Sequence, residues 1–290
     1  MNLRSGRYPM TRVAILAGLL LALSPVSSAY YYWIYFPGRT GPFKAYPAKF
    51  DLSALPDKTV SYFISDKPPG KLVDGDKYDA LVSQIRLAAA TWNEVPSSDL
   101  RVRFGGFESF ATPQATPGID VVFDDADMPP GLLAQTFLSR PEDVGDLTKG
   151  PGFVPILRSK LQLRSDLTIK QQASYADAFF LTMVHEFGHT LGLQHSTVSA
   201  TMSTSTTRAT TKARPLAGDD IAGISLLYPT ATVAATIRDG LGVTSIDVSH
   251  AAPNAGRPRP SRPTFPDAQR ARQIPLIRRG THPRVPWSLL

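Results

Sequence analysis

Apolar and polar residues alternate along several short stretches of the chain, as they do in strands of a half-buried sheet. The alternation is clearest at 58–65 and 100–104. A third stretch, 119–123, is mostly apolar and rich in β-branched residues, which favours a buried strand. Weaker strand patterns follow at 132–138 and 154–163. The pattern therefore predicts a sheet of about five strands.

Two segments place apolar residues three and four positions apart, which gives a helix one apolar face. The first begins at Tyr78 and ends near Trp92, which we expect to lie deep in the contact with the sheet. The second begins at Ser174, where Asp177 three residues later completes a capping-box pattern. A last helix is predicted at 217–227. This order of elements predicts an α+β fold, with a twisted mixed sheet backed by two helices.

The N-terminal residues have the pattern of a secretory signal peptide. Three arginines precede an apolar run at 13–23, and small residues at 27–29 suit cleavage by a signal peptidase. The aromatic stretch 30–36 leaves an uncleaved membrane anchor as the alternative. The apolar run is, however, shorter than the ~20 residues of a spanning helix. We therefore expect residues 1–29 to direct the protein to the periplasm or the extracellular space, with membrane anchoring as the alternative.

Composition sets the remaining boundaries. Residues 30–57 are rich in proline and glycine and are predicted to be a linker, and residues 58–230 form the main domain. Residues 231–290 are rich in proline and arginine and are predicted to be disordered, because they offer little apolar surface. A faint strand-and-turn pattern at 237–240, or contact of the arginines with an anionic cell envelope, are the alternatives for this tail.

Charge and cysteine content exclude several classes of function. The net charge of +7 arises in the tail and the N-terminus, so the body between them is mildly acidic and is not expected to bind nucleic acid. The chain has no cysteine, which excludes disulfides, thiolate zinc sites and cysteine nucleophiles.

The chemistry is concentrated in a short stretch that ends at His195. His185 and His189 lie one helical turn apart and can reach a single zinc ion. Gly192 allows the helix to end in a sharp turn, which brings His195 round as the third ligand. Three protein ligands leave one coordination position open, which is typical of a catalytic zinc. Glu186 lies beside the metal, where it can act as general base.

The same three histidines could instead make ordinary hydrogen bonds on a half-buried helix, but the full spacing argues against this. HExxHxxGxxH, as it stands at 185–195, resembles the motif of the metzincin zinc peptidases, and residues 58–229 resemble their matrixin branch in its bacterial form. The resemblance implies a metzincin fold with a zinc cleft above a small C-terminal subdomain. It also implies that Met202 forms the Met-turn below the zinc. Without the resemblance, Met202 is simply a buried apolar residue.

Further expectations come from the same resemblance. The segment 131–137, with Leu133 and Ala134, is similar to the edge strand that binds an extended substrate, and exposed edges bind peptides in this way. Gln135 stands where matrixins have a histidine for a second, structural zinc, so a single zinc is expected. The loop 203–214 is expected to border the pocket for the residue after the scissile bond.

A group of acidic residues near the third strand could bind calcium through carboxylate oxygens, although a solvated acidic loop is the favoured interpretation. The group comprises Asp120, Asp124, Asp125 and Asp127. Latency through a propeptide cysteine, as in vertebrate matrixins, is excluded because the chain has no cysteine.

The sequence thus predicts a secreted zinc endopeptidase that acts as a monomer on protein or peptide substrates. The alternative is a catalytically silent, zinc-bearing binding or adhesion protein of the cell envelope. The intact Glu186 favours the peptidase.

Overall fold

The computed structural model describes most of the chain between Ala29 and Arg238. The described residues are 29–37, 44–110, 116–126, 128–147, 149–170, 173–204 and 210–238. The predicted signal peptide before Ala29 and the tail beyond residue 238 lie outside these ranges. Within them, no helix has the length and apolar character needed to cross a bilayer.

In the described part of the chain, eight strands form two sheets. They are β1 (Ile34–Tyr35), β2 (Tyr46–Lys49), β3 (Thr59–Ser65), β4 (Arg101–Glu108), β5 (Gly118–Phe123), β6 (Ala134–Ser139), β7 (Val154–Pro155) and β8 (Arg158–Leu163). The main sheet has the order β4-β3-β5-β8-β6, and only β6 runs antiparallel to its neighbour. The predicted five-stranded mixed sheet is therefore confirmed, with β4 and β6 at its edges.

The predicted strand at 154–163 is divided between the two sheets. β7 pairs with β2, whereas β8 enters the main sheet between β5 and β6. The backbone changes partner in two residues, because the N–H of Ile156 donates to Lys49 O and that of Leu157 donates to Ser139 O. One continuous strand pattern in the sequence therefore serves two sheets.

The segment predicted to be a linker is packed against the main domain over its described part. β1, β2 and β7 form a small three-stranded sheet. Tyr46 and Phe50 are fully buried, and the N–H of Trp33 donates to Gly192 O over 3.0 Å. The prolines and glycines gave this stretch a linker-like composition, but its aromatic side chains supply enough apolar surface to hold it on the domain.

Four helices are described: α1 (Tyr78–Thr91), α2 (Asp177–Thr190), α3 (Gly218–Leu227) and α4 (Ala231–Arg238). α1 and α2 pack against each other beside the main sheet. Trp92, which follows α1, is fully buried, and its indole Nε1 donates to Val184 O over 3.1 Å. The predicted depth of Trp92 is confirmed, and this contact ties the first helix to the second.

The predicted start of α2 is wrong. The helix begins at Asp177, and no side chain caps its first turn. Ser174 is engaged elsewhere, because its N–H and hydroxyl both donate to the Asp76 carboxylate, over 2.6 and 2.7 Å. Ser174 therefore forms its hydrogen bonds with a residue about a hundred positions away in the chain. The local spacing of Ser174 and Asp177 cannot reveal this contact.

Residues 231–238, predicted to be the start of a disordered tail, form helix α4 instead. Ile237 and Arg238 belong to α4 and do not begin a strand. Thr230 explains the new helix, since its hydroxyl accepts from the N–H of Val233 and its carbonyl accepts from the N–H of Ala234. The proline that ends α3 is thus followed directly by a residue that caps the next helix. Residues 239–240 lie outside the described ranges.

Candidate metal centre and active site

Helix α2 holds His185 and His189 with defined ring tautomers. His185 Nδ1 lies 2.7 Å from the carbonyl oxygen of Thr201, and His189 Nδ1 lies 2.8 Å from that of Leu193. A carbonyl oxygen only accepts, so each Nδ1 carries the proton and donates it. The lone pair of each neutral ring is then on Nε2, where it can bind a metal.

The third histidine completes a group of three metal-binding side chains. One ring nitrogen from each of His185, His189 and His195 lies within 4.8 Å of the other two. The Nε2 atoms of His189 and His195 are 3.2 Å apart. Two nitrogens bound to one tetrahedral zinc at ordinary bond lengths are about 3.3 Å apart. The imidazole donor set and its spacing therefore fit a zinc ion.

The chain that carries His195 turns sharply after α2, and we call residues 192–197 the His195 arm. Gly192 has a φ of 104°, and the N–H of Leu193 donates back to Gly188 O over 3.0 Å. A Cβ at position 192 would lie 2.3 Å from the carbonyl oxygen of Ala48. Glycine is required here both for the backbone conformation and for the close approach of β2.

Met202 lies directly against helix α2. Its side chain is only 2% exposed, and a Cβ added to Gly188 would lie 2.3 Å from its sulfur. Gly188 lies between His185 and His189 in the sequence. Because glycine has no side chain, the Met202 sulfur can approach the helix closely at this point. The thioether is therefore packed against the turn of α2 that carries His185 and His189. The role of Met202 as a Met-turn stays a prediction.

The buried carboxylate of Asp220 fixes the backbone on either side of that turn. Its oxygens accept hydrogen bonds from the N–H groups of Thr201, Met202 and Ala217, each over 2.8 to 2.9 Å. Burial raises the pKa of Asp220, and the three backbone hydrogen bonds oppose that rise. The Thr201 N–H donates to Asp220 and the Thr201 carbonyl accepts from His185 Nδ1. The Asp220 carboxylate therefore supports the His185 ring through Thr201.

Glu186 lies next to the histidines, with 7% of its surface exposed. The hydroxyl of Thr136, on edge strand β6, donates to Glu186 Oε2 over 2.8 Å. A carboxylate in this position can exchange a proton with a group that is bound near the histidines.

The substrate-binding residues expected from the sequence lie at the same edge of the sheet. Ala134 begins β6 and Leu133 precedes it, and the Leu133 carbonyl accepts from the N–H of Arg164 over 2.9 Å. Among the strands that the structure describes, β6 has a partner only on its β8 side. Its other edge therefore has backbone groups that an extended peptide could pair with.

The sequence around this site is similar to that of a known peptidase family. Residues 99–229 match the sequence model of the Matrixin peptidase family. These residues are similar to a matrixin peptidase domain. Matrixins are metzincins and zinc-dependent peptidases, so the fold class predicted from the sequence and the hydrolase class of the protein are both supported. The match begins just before β4, although β3 and α1 belong to the same sheet and core.

Other comparisons add little to the matrixin assignment. A matching solved structure is titled "GM1 bound form of the ECX AB5 holotoxin", with 14% identity over 62% of this chain and 84% of that chain, and a TM-score of 0.34. A likeness of that size carries no argument. A comparison with curated proteins gives no match.

The matrixin-like domain departs from the family pattern at Gln135, which lies on β6 opposite Gln162 of β8. The side-chain nitrogen of Gln135 is buried and has no hydrogen-bond partner among the described residues, whereas that of Gln162 donates to the Asp124 and Ala126 carbonyls. The expectation of a single zinc stays a prediction.

Three of the acidic residues considered for calcium are described, Asp120, Asp124 and Asp125, and they do not form one group of potential metal ligands. Asp120 is paired with Arg158, which donates to its carboxylate through Nε at 2.9 and 3.0 Å. Asp124 accepts from the N–H of Ala126, and Asp125 from that of Ser165. Among the described residues, the three histidines form the only group of three or more potential metal ligands, and Asp127 lies outside those residues.

The loop predicted to border the substrate pocket, 203–214, is described only in part, because residues 205–209 lie outside the described ranges. Lys212 of this loop donates to Gln84 Oε1 over 2.9 Å and lies over the ring of Phe180. The contact of this loop with a substrate stays a prediction.

Two contributions to the site were missed from the sequence. Thr136 could have been noticed from the two-residue period of a strand, which places its side chain on the same face as that of Ala134. Asp220 was noted only as part of the closing helix, and no local signal indicates that its carboxylate reaches back to residues 201–202.

Proposed function

We propose that this protein is a secreted zinc endopeptidase that hydrolyses peptide bonds in protein or peptide substrates, with Glu186 as general base. The observation that carries the proposal is the convergence of three imidazoles beside a buried carboxylate. A group of three histidines would suit a peptidase or a zinc-binding protein equally well. The adjacent Glu186 adds the proton-transfer group that only the peptidase needs.

In this proposal, His185, His189 and His195 hold one catalytic zinc through a ring nitrogen each. Zinc bound there supplies Lewis acidity toward the scissile carbonyl and toward the attacking water. Glu186 removes a proton from that water and later returns it to the leaving amine. Its low exposure strengthens its interactions with the reacting groups, because bulk water is largely excluded.

The substrate would bind as an added strand along β6, with its backbone paired near Leu133 and Ala134. This mode of binding engages the backbone on both sides of the scissile bond, which suits an endopeptidase. Met202 would form the floor of the site. Loop 203–214 would border the pocket for the residue after the scissile bond.

The N-terminal pattern supports a protein that acts in the periplasm or outside the cell. Sequencing the N-terminus of the mature protein tests this part of the proposal. A mature chain that begins near residue 30 supports secretion, and a retained apolar segment supports membrane anchoring.

The central test replaces Glu186 by glutamine in the zinc-loaded protein. We expect kcat on peptides from a broad library to fall by roughly 10²- to 10⁴-fold, because proton transfer is lost. The zinc content should be unchanged, since the three histidines remain. Glu142→Gln, at an exposed site, is the matched control and should retain wild-type turnover.

Two results would contradict the proposal. Retained turnover in Glu186→Gln would remove the general base. Wild-type protein that is folded and binds zinc but cleaves no peptide would favour the silent binding or adhesion protein.

A further inference from the structure

Strand β6 touches the proposed general base as well as the expected path of the substrate. Thr136 Oγ1 lies 2.8 Å from Glu186 Oε2 and 3.3 Å from the Glu186 backbone oxygen. A threonine hydroxyl has one proton to donate. The shorter distance and the charge of the acceptor both favour the carboxylate, since hydrogen bonds to ionised groups are the stronger ones.

We infer that Thr136 is a positioning residue that holds the Glu186 carboxylate in its working orientation. This inference rests on the proposed function of Glu186. A glutamate side chain has several rotatable bonds, and a carboxylate that is free to turn spends part of its time in unproductive orientations. The hydroxyl of Thr136 fixes one carboxylate oxygen, Oε2, and so restricts rotation of the carboxylate.

The position of Thr136 in the strand gives the contact a second consequence. Ala134 and Thr136 are two residues apart on β6, so the strand that pairs with the substrate backbone also carries the donor to Glu186. A shift of β6 would therefore move the substrate and the base together. Thr136 thus couples the placement of the scissile bond to that of the base.

A purely structural role of Thr136 is the competing explanation, because β-branched residues are common in strands and the hydroxyl could serve only to satisfy a partly buried carboxylate. The two explanations differ in what the hydroxyl does for turnover. A structural role affects folding stability, whereas a positioning role affects kcat at constant zinc content.

The experiment compares Thr136→Val, which removes the hydroxyl but keeps the branched shape, with Thr136→Ser, which keeps the hydroxyl. In the zinc-loaded full-length protein, we expect Thr136→Val to lower kcat about tenfold through lost orientation, with little change in KM. Thr136→Ser should recover most of that loss. Thr182→Val is the matched control, because the Thr182 hydroxyl donates only to Ala178 O within helix α2.

A second measurement does not depend on turnover. Crystal structures of the wild-type protein and of Thr136→Val, both without zinc, should show one Glu186 carboxylate orientation in the wild type and more than one in the variant. The inference is overturned if Thr136→Val leaves both kcat and the Glu186 orientation unchanged, or if Thr136→Ser loses as much kcat as Thr136→Val. These outcomes are distinct from retained turnover in Glu186→Gln, which would instead refute the assignment of the base.

Discussion

Helix α2 and the His195 arm supply the proposed zinc ligands in different ways. The helix places His185 and His189 on one buried face through its own periodicity. The arm carries the third ligand, His195, which is exposed and follows a glycine with positive φ. The positions of His185 and His189 therefore depend on local helical structure, whereas the position of His195 depends on the contacts that the His195 arm makes with the rest of the fold.

Much of what holds the arm comes from the N-terminal part of the described chain. The N–H of Gln194 donates to Tyr31 O over 2.7 Å. The N–H of Trp33 donates to Gly192 O. These bonds join residues more than 150 positions apart, so the position of His195 depends on contacts with the N-terminal segment.

The closing helix connects the two regions. The hydroxyl of Tyr228, which is almost fully buried, donates to Leu191 O over 2.7 Å and accepts from the N–H of Phe50. It thereby joins the end of α2 to the segment after β2. The helix can form its two-ligand face without these contacts, but the arm cannot keep its path without them.

The largest effect on this comparison is expected from Gly192→Ala, at the junction of the two regions. The new Cβ would collide with the Ala48 carbonyl and force a side chain into a positive-φ conformation, at a cost of about 2–4 kcal/mol of stability. Denaturant unfolding measures this loss, and zinc affinity should fall with it. Gly75→Ala is the control, because Gly75 also has positive φ but a Cβ added there would have no neighbour within 4 Å. Equal losses in the two variants would show that the close approach to β2 is unimportant.

A smaller effect is expected from Asp220→Asn, which disturbs only the support of the metal site. An amide has one oxygen, so at least one of the three backbone N–H groups loses its acceptor, at about 1–3 kcal/mol. The Thr201 carbonyl accepts a hydrogen bond from His185, so a shift of Thr201 would disturb the orientation of this ring. We therefore expect zinc affinity to fall about tenfold. Thermal unfolding and zinc titration measure the two effects. Asp74→Asn, at an exposed site, should change neither.

The smallest effect is expected from Tyr32→Phe, which removes one bond between the N-terminal segment and α3. The Tyr32 hydroxyl donates to Gly223 O over 3.1 Å, and its loss should cost about 1 kcal/mol. Denaturant unfolding of the variant is compared with that of Tyr31→Phe, whose side chain is half exposed. If both variants are as stable as the wild type, the docking of this segment depends on backbone pairing and ring packing alone.

Where the sequence succeeded, the signal was local. The helix around His185 and the stop at Gly192 could be predicted, because helical spacing and a glycine at a turn are decided by neighbouring residues. The start of α2 was missed, because Ser174 binds Asp76 and not its own helix. Strand periodicity could place Thr136 on the same face as Ala134, but its contact with Glu186, fifty residues away in the chain, was not predictable from local sequence.

The five strands and the buried helix could be predicted from the sequence because each follows from periodicity over a few residues, and the spacing of the three histidines and the glutamate is read directly from it. The contacts between these elements are set by the tertiary fold. It folded the proline-rich segment onto the domain, directed the Asp220 carboxylate to residues 201–202 and brought Thr136 to Glu186. Such contacts join side chains far apart in the chain, and they form because buried polar groups must find partners wherever the fold supplies them.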